Sequence, residues 1–286
     1  MKIKLQSAME YLMTYGWAIL VIAIVLGALA SLGILNPYTF APKAQPGSCQ
    51  VYRYAQGSNQ FLSLVGTCTD MLPEYVAQFN YQAIVTPNIK DPPSYSISLW
   101  VDEPVPLGTW APVINKGRWS NPTDWYLLTP NRNCGNGQGI IWSIGAYPHI
   151  WCEICYNWGN SNWHFITGIY NNATQLEQLY VNGTLVGSTT CTAENITNYP
   201  LCIGCGGNGN FYGYISNIQY YNTTLSANEI KALYQEGIGG APIDLKNLIA
   251  WWPLNGNAND YSGDNYNAKA YGIIWYSTWE NSYSPP

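Results

Sequence analysis

Between Glu10 and Lys43 the chain carries no charged residue. As a helix, residues 11–35 would run about 37 Å at 1.5 Å per residue, enough to cross a hydrocarbon core of about 30 Å. Lys2 and Lys4 precede the run, which holds the N-terminus on the cytoplasmic side and sends the remainder outward. The rest of the chain is polar, aromatic and rich in turn residues. The chain therefore divides into an apolar rod and a separate head. Gly16, Gly27 and Gly33 lie inside the run, and with Ala28, Ala30 and Ser31 they would let helices approach closely in a packed apolar bundle.

The rod admits three readings. It can be a plain membrane anchor, or a secretory signal cut at Ala28-Leu29-Ala30. The third rests on the stretch KLQSAMEYLMTYGWAILV, which resembles the class III signal of archaeal type IV pilins. That resemblance implies a leader of residues 1–5 cut after Leu5, with Gln6 as the new N-terminus and Glu10 at the family's acidic position. It also implies self-association of the helix, residues 6–35, into a filament. A carboxylate at the edge of an apolar helix is costly unless paired. In a filament Glu10 would pair with the free amine of Gln6 on a neighbouring subunit.

Residues 36–48 read as a semi-rigid linker, because Pro37, Pro42, Pro46 and Gly47 forbid a continuous helix or a central strand. In residues 49–75, CQVYRYA and QFLSLVG flank Gly57-Ser58-Asn59, which predicts a hairpin. Cys49 and Cys68 fall near its two ends. A bridge between them would contribute about 3 kcal/mol.

From Val76 strand patterns recur with turns between them. In YSISLWV, Tyr95, Ile97, Leu99 and Val101 share one face, and Ser96, Ser98 and Trp100 the other. Asn182-Gly183 joins LEQLYV to TLVGSTT, a strong hairpin signal. One helix is expected after Ser226, which with Glu229 forms a capping box. Ile230, Leu233 and Tyr234 make its apolar face, and Gly237 its stop. The fold class is therefore mainly β: a long N-terminal helix followed by an antiparallel sandwich.

The order of these parts resembles a laminin G-like jelly roll of the concanavalin A-like lectin class, over roughly residues 76–237. FYGYISNIQYYNTTLSANEIKALYQEG carries the most specific part. The resemblance implies two curved antiparallel sheets in a domain of residues 76–240, often a rim Ca²⁺, and binding of a glycan or cell-surface ligand rather than catalysis. The segment 241–286 contains NLIAWWPLNGNANDYSGDNYNAKAYG, which resembles the fold's opening strand and first loop. It can complete the same head, fill a neighbour's sheet by strand addition, or be the remnant of a second repeat. Completion in the same head is favoured.

With 11 Lys and Arg and a net charge of −5, the chain lacks the basic stripe that nucleic acid requires. Eight cysteines and four sequons, at Asn172, Asn182, Asn195 and Asn222, place the head outside the cytoplasm as a glycoprotein. The pairs Cys152/Cys155 and Cys202/Cys205 have zinc-ligand spacing, but in an exported chain disulfides are the simpler reading. Asn255, Asn257, Asn259, Asp260, Ser262 and Asp264 form a loop dense in oxygens, with Asp260 and Asp264 as candidate calcium ligands. An Asx-rich turn without metal reads equally from the same residues.

Sugar hydrolysis needs two carboxylates around one bond. Asp102 and Glu103 are adjacent and would face opposite ways in a strand, while Glu153, Glu177 and Glu194 stand singly. His149 and His164 are the only histidines, and His164 reads as a structural strand-start residue. Trp119, Trp125, Trp158 and Trp163 lie in Asn/Gly/Ser-rich stretches and read individually as structural. The function expected is a non-enzymatic filament subunit with an adhesive lectin-like head. A membrane-anchored lectin and a secreted carbohydrate-active enzyme are the alternatives.

Overall fold

The computed structural model describes residues 3–31, 38, 41–56, 59–69, 71–104, 111–117, 125–129, 138–144, 152–192, 198–205 and 211–286. Within 3–31 the side chains of 3–12, 14, 30 and 31 are not described, so the placements of Leu5, Gln6 and Glu10 side chains lie outside the described residues. The chain forms two compact units, Met1–Ala41 and Pro42–Pro286.

The first unit is α1 (Ile3–Ser31). Its described side chains are exposed along one continuous stretch, with Met13, Trp17, Ile19, Ile22 and Ile24 each more than half exposed. Among the described residues no helix is long and apolar enough to cross a membrane. The charge-free run that suggested a span, residues 11–35, extends past Ser31, where the described helix ends.

The second unit begins with β1 (Lys43–Ala44), the hairpin β2 (Cys49–Gln56) and β3 (Asn59–Gly66), and β4 (Leu72–Pro73). β1 pairs β4 in parallel, and Asn255 Nδ2 donates to Ala44 O at 2.7 Å. Residues from Pro42 onward thus belong to the head rather than to a free linker. The Cys49–Cys68 disulfide joins the ends of the hairpin region.

The sandwich comes next along the chain. Its strands are β5 (Val76–Asn80), β6 (Ala83–Lys90), β7 (Tyr95–Asp102), β8 (Pro112–Lys116), β9 (Trp125–Leu128), β10 (Gly139–Ile144) and β11 (Cys152–Asn157). They continue as β12 (His164–Asn171), β13 (Leu176–Val181), β14 (Thr184–Thr190), β15 (Asn198–Ile203) and β16 (Tyr212–Tyr221). After α2 (Ala227–Gln235) come β17 (Leu248–Trp252), β18 (Lys269–Tyr271) and β19 (Ile274–Tyr276). One sheet has the order β11-β10-β9-β8-β15-β6-β18, the other β14-β13-β12-β7-β16-β5-β19, with β17 also on β16. The segment after residue 241 thus supplies a strand to the first sheet and two to the second within this chain.

Alternation on β7 sets the layers. Tyr95, Ile97, Leu99 and Val101 enter the core between the sheets, against Ile114, Leu127 and Trp142. Trp100, on the other face, is also buried, in a second apolar cluster with Phe165, Ile230, Leu233, Trp279 and Tyr283. α2 and the C-terminal segment supply that cover. The sheet is therefore a middle layer, and Ser96 and Ser98, on the same face as Trp100, are buried too. The β12 residue beneath Trp142 must be small. A Cβ at Gly168 would meet the Trp142 ring at 2.8 Å.

The local signals have clear counterparts. Asn182 and Gly183 adopt φ of 49° and 74°, the left-handed pair that a tight hairpin turn needs. Ser226 Oγ accepts from Glu229 N, and Glu229 Oε2 accepts from Ser226 N at 2.7 Å. Ser226→Ala removes that reciprocal cap and is expected to lower stability by about 1 kcal/mol, read from the urea midpoint.

Candidate functional site

β7 ends at Asp102, and in the ladder Asp102 stands opposite Tyr214 of β16. β19 runs beside β5 and ends at Tyr276, opposite Val76. The rings of Tyr214 and Tyr276 lie 5.3 Å apart. Beyond β19 a 3₁₀ turn, Glu280–Ser282, folds back over the sheet end. Lys43 pins this turn through an ion pair to Glu280 and a 3.1 Å hydrogen bond to Ser277 O. Trp279 Nε1 donates to Pro73 O, and Trp163 Nε1 to Trp279 O.

Together these elements enclose a cleft of about 320 Å³ lined by Asp102, Ser161, Asn162, Tyr214, Tyr276, Thr278, Asn281 and Ser282, among others. Asn162, Thr278 and Asn281 are exposed, and Tyr276 is half-buried. Ser282 Oγ donates to Asp102 Oδ2 at 2.6 Å, while Asp102 Oδ1 is buried without a hydrogen-bond partner among the described residues. Burial pushes the Asp102 carboxyl above the usual carboxylate range, and the Ser282 hydroxyl opposes that shift. A half-buried ring beside two exposed amides and a hydroxyl offers one apolar face and several hydrogen-bonding groups, which suits a sugar ring.

Glu103 turns the other way. Its carboxylate accepts from Gly139 N at 3.2 Å in the opposite sheet. The cleft is thus lined by one carboxylate among the described residues. None of Asn162, Tyr214, Tyr276 or Asn281 stood out in the sequence. The one cue was the Asn- and aromatic-rich character of 158–164 and 275–283.

A second aromatic surface lies on the outward face of the β2–β3 hairpin. Tyr52 and Tyr54 stack with centroids 6.4 Å apart and planes 10° from parallel, with Phe61 opposite Tyr54. All three are about half exposed.

The residues expected to hold calcium do not fit an ion. Asp260 Oδ1 accepts from Trp251 N and Ser262 N, both at 2.9 Å. Its Oδ2 accepts from Tyr266 N at 2.8 Å and Ser262 Oγ at 2.9 Å. Asn255 Oδ1 is taken by Tyr75 N, and Asn257 Oδ1 by Asn259 N. Asp264 pairs with Arg53 at 3.0 Å. Burial raises the Asp264 carboxyl, the Arg53 guanidinium lowers it, and the Asp260 charge raises it. Four donors saturate Asp260, so the loop is closed by its own backbone rather than by a metal.

The described cysteines are oxidised. Cys152 joins Cys191, Cys202 joins Cys205, and Cys155 is also disulfide-bonded. The carboxylate of Glu177 and the sulfurs of Cys152 and Cys191 lie within 4.8 Å of one another. Disulfide sulfurs are not thiolates, so this group is no zinc centre. Glu177 is fully buried, and neither of its oxygens has a hydrogen-bond partner among the described residues. Burial, helped by the nearby Glu153 charge, pushes its carboxyl up to about 9.

His164 is structural. Nε2 contacts Asn160 Oδ1 at 2.9 Å, Nδ1 accepts from Asn182 Nδ2, and the ring stacks on Trp158 at 4.3 Å. Burial lowers its pKa to about 4. Asn182 is committed to this network, since its Oδ1 also accepts from Phe165 N. Its sequon is therefore poorly placed for a glycan, whereas Asn172 and Asn222 are exposed. Trp125 and Trp163 are buried. Trp119, His149 and Asn195 lie outside the described residues.

A similar fold occurs in a proposed carbohydrate-binding protein from Bacteroides ovatus, with a TM-score of 0.56 at 13% identity over 78% of this chain. The chain spans 64% of the length of that protein. The native heptameric SAP-like pentraxin of Limulus polyphemus matches with a TM-score of 0.51 at 10% identity, over 71% of this chain and 94% of its own. No curated protein sequence matches the chain. At these identities the likeness is one of fold. The sequence model described as the concanavalin A-like lectin/glucanases superfamily matches residues 78–231, more than half of the chain. The chain belongs to the concanavalin A-like lectin/glucanase superfamily, in its laminin G-like form.

Proposed function

We propose that the head binds carbohydrate without catalysis, and that α1 displays it outside the cell in a type IV pilin-like filament. The observation that carries the binding reading is the cleft, with the Tyr276 ring beside Asn162 and Asn281. Retaining and inverting hydrolysis both need a pair of carboxyl groups. Asp102 lines the cleft while Glu103 is turned to Gly139, which favours binding over bond cleavage.

The filament reading is supported by α1. An apolar helix whose described side chains are exposed from Tyr15 to Ala28 needs a cover, first lipid in the precursor and then other helices. A Cβ at Gly16 or Gly27 would meet nothing within 4 Å, so both positions leave room for a neighbouring helix. In this reading the cut after Leu5 frees the Gln6 amine to pair with Glu10 of the next subunit. The exposed Asn172 and Asn222 carry glycans, and the occupant of the cleft is a glycan of another cell or surface.

Two experiments test these parts. On a glycan array, Tyr276→Ala is expected to weaken wild-type binding by about 10- to 100-fold, the range for losing one aromatic contact. Equal binding by both chains, or no binding by the wild type, would count against the cleft. For the helix, the mass of the mature protein is expected to lack residues 1–5, and electron microscopy to show surface filaments. An uncut chain without filaments would favour a plain anchor.

A further inference from the structure

Asp91 and Lys116 form the one ion pair among the described residues in which both side chains are fully buried, at 0–1% exposure. Asp91 directly follows β6, and Lys116 ends β8, opposite Trp125 in the ladder. Lys116 Nζ lies 3.1 Å from Asp91 Oδ1 and donates to Ile89 O. The Tyr220 hydroxyl donates to the same Oδ1 at 2.6 Å. The rings of Tyr95, Trp125 and Tyr220 form a buried triangle with centroids 5.7–6.1 Å apart.

Two charges in such a place are costly, since the attraction of a buried pair often fails to repay its desolvation. There is a route that removes both charges permanently. We propose that Lys116 and Asp91 condense to an intramolecular amide. The Nζ–Cγ bond forms and the Cγ–Oδ2 bond breaks. Two protons of the ammonium leave with Oδ2 as water, and Oδ1 remains as the amide oxygen. An ammonium and a carboxylate thus become one neutral amide and one water, with nothing oxidised or reduced.

The site supplies what the reaction needs. Holding the groups in contact replaces a collision by an intramolecular step, where effective molarities reach about 10⁵–10⁸ M. Tyr220 donates to the oxygen on which negative charge develops when nitrogen adds to Cγ. Asp91 also borders an outer groove of about 590 Å³ with Pro92, Pro93 and Lys246, which gives the water a short way out. The product would tie the end of β6 to β8 across β15, which lies between them in the sheet.

Mass spectrometry of the full chain, produced without glycosylation, reduced and unfolded, reads the bond directly. The wild type is expected one water lighter than the sequence that starts at its own mature N-terminus, with a branched tryptic peptide joining Asp91 to Lys116. Lys116→Arg and Asp91→Ala are expected at full mass. Asp91→Asn is expected to reach the same linked product by losing ammonia. A wild-type chain at full mass that trypsin cleaves after Lys116 overturns the proposal, as does a water loss mapped to other residues. The wild-type measurement decides even if the variants fail to fold. Neither result bears on the glycan cleft.

Discussion

Asp260→Ala is expected to destabilise the head by roughly 3–6 kcal/mol, because it strands the backbone N–H groups of Trp251, Ser262 and Tyr266 together. Trp251 and Ser262 are buried, so water cannot replace the lost acceptor there. Asp260→Asn keeps one acceptor oxygen and should lose less. Chelating divalent cations from the wild type should leave its melting temperature unchanged. The discriminating measurement is urea unfolding with and without added calcium. A calcium-dependent rise in wild-type stability that vanishes in Asp260→Ala would show that the loop is a metal site after all.

The second large effect concerns Glu177. Its folded-state pKa, about 9, lies far above the 4.5 of a free glutamate. Linkage sets the sign of the effect. The stability tied to the raised pKa is fully present below about pH 4.5, where both states hold the proton. It falls as pH rises, since the unfolded chain releases that proton first, and the loss is complete above about 9. At about 1.4 kcal/mol per unit the swing is several kcal/mol. Glu177→Gln is neutral at every pH and nearly isosteric with the protonated acid. It should match the wild type near pH 5 and exceed it by roughly 3–5 kcal/mol near pH 9. Other groups titrate in the wild type, His164 among them, so the quantity to track is the difference between the two urea curves. A difference that does not change with pH would mean that Glu177 is ionised in the fold.

Much of this architecture is legible in the sequence because it is set locally. The alternation in YSISLWV identifies the core face of β7, the Asn-Gly pair fixes the β13–β14 turn, and Ser226 with Glu229 starts α2. What local pattern cannot show is which groups meet at long range. The pattern places Trp100 on the second face of its strand, but not that α2 and the returning Trp279 and Tyr283 bury it. Nothing local marks Lys116, and Glu177 only stands singly in the sequence, yet both are fully enclosed. The Asn- and Asp-rich loop has the composition of a calcium site and of an Asx turn alike. The difference lies in the Trp251 and Tyr266 amides that claim Asp260. The cleft is the extreme case, since β7, β16 and the C-terminal tail each bring part of it from distant positions.

In the function proposed here the head holds a glycan at the end of β7, against Tyr276. The most direct test is a crystal structure of the chain grown with a glycan identified on the array. Density for a sugar ring is expected on the face of Tyr276, within hydrogen-bond distance of Asn162 or Asn281. A sugar seated instead on Tyr52 and Tyr54 of the hairpin, with the cleft holding only solvent, would contradict it.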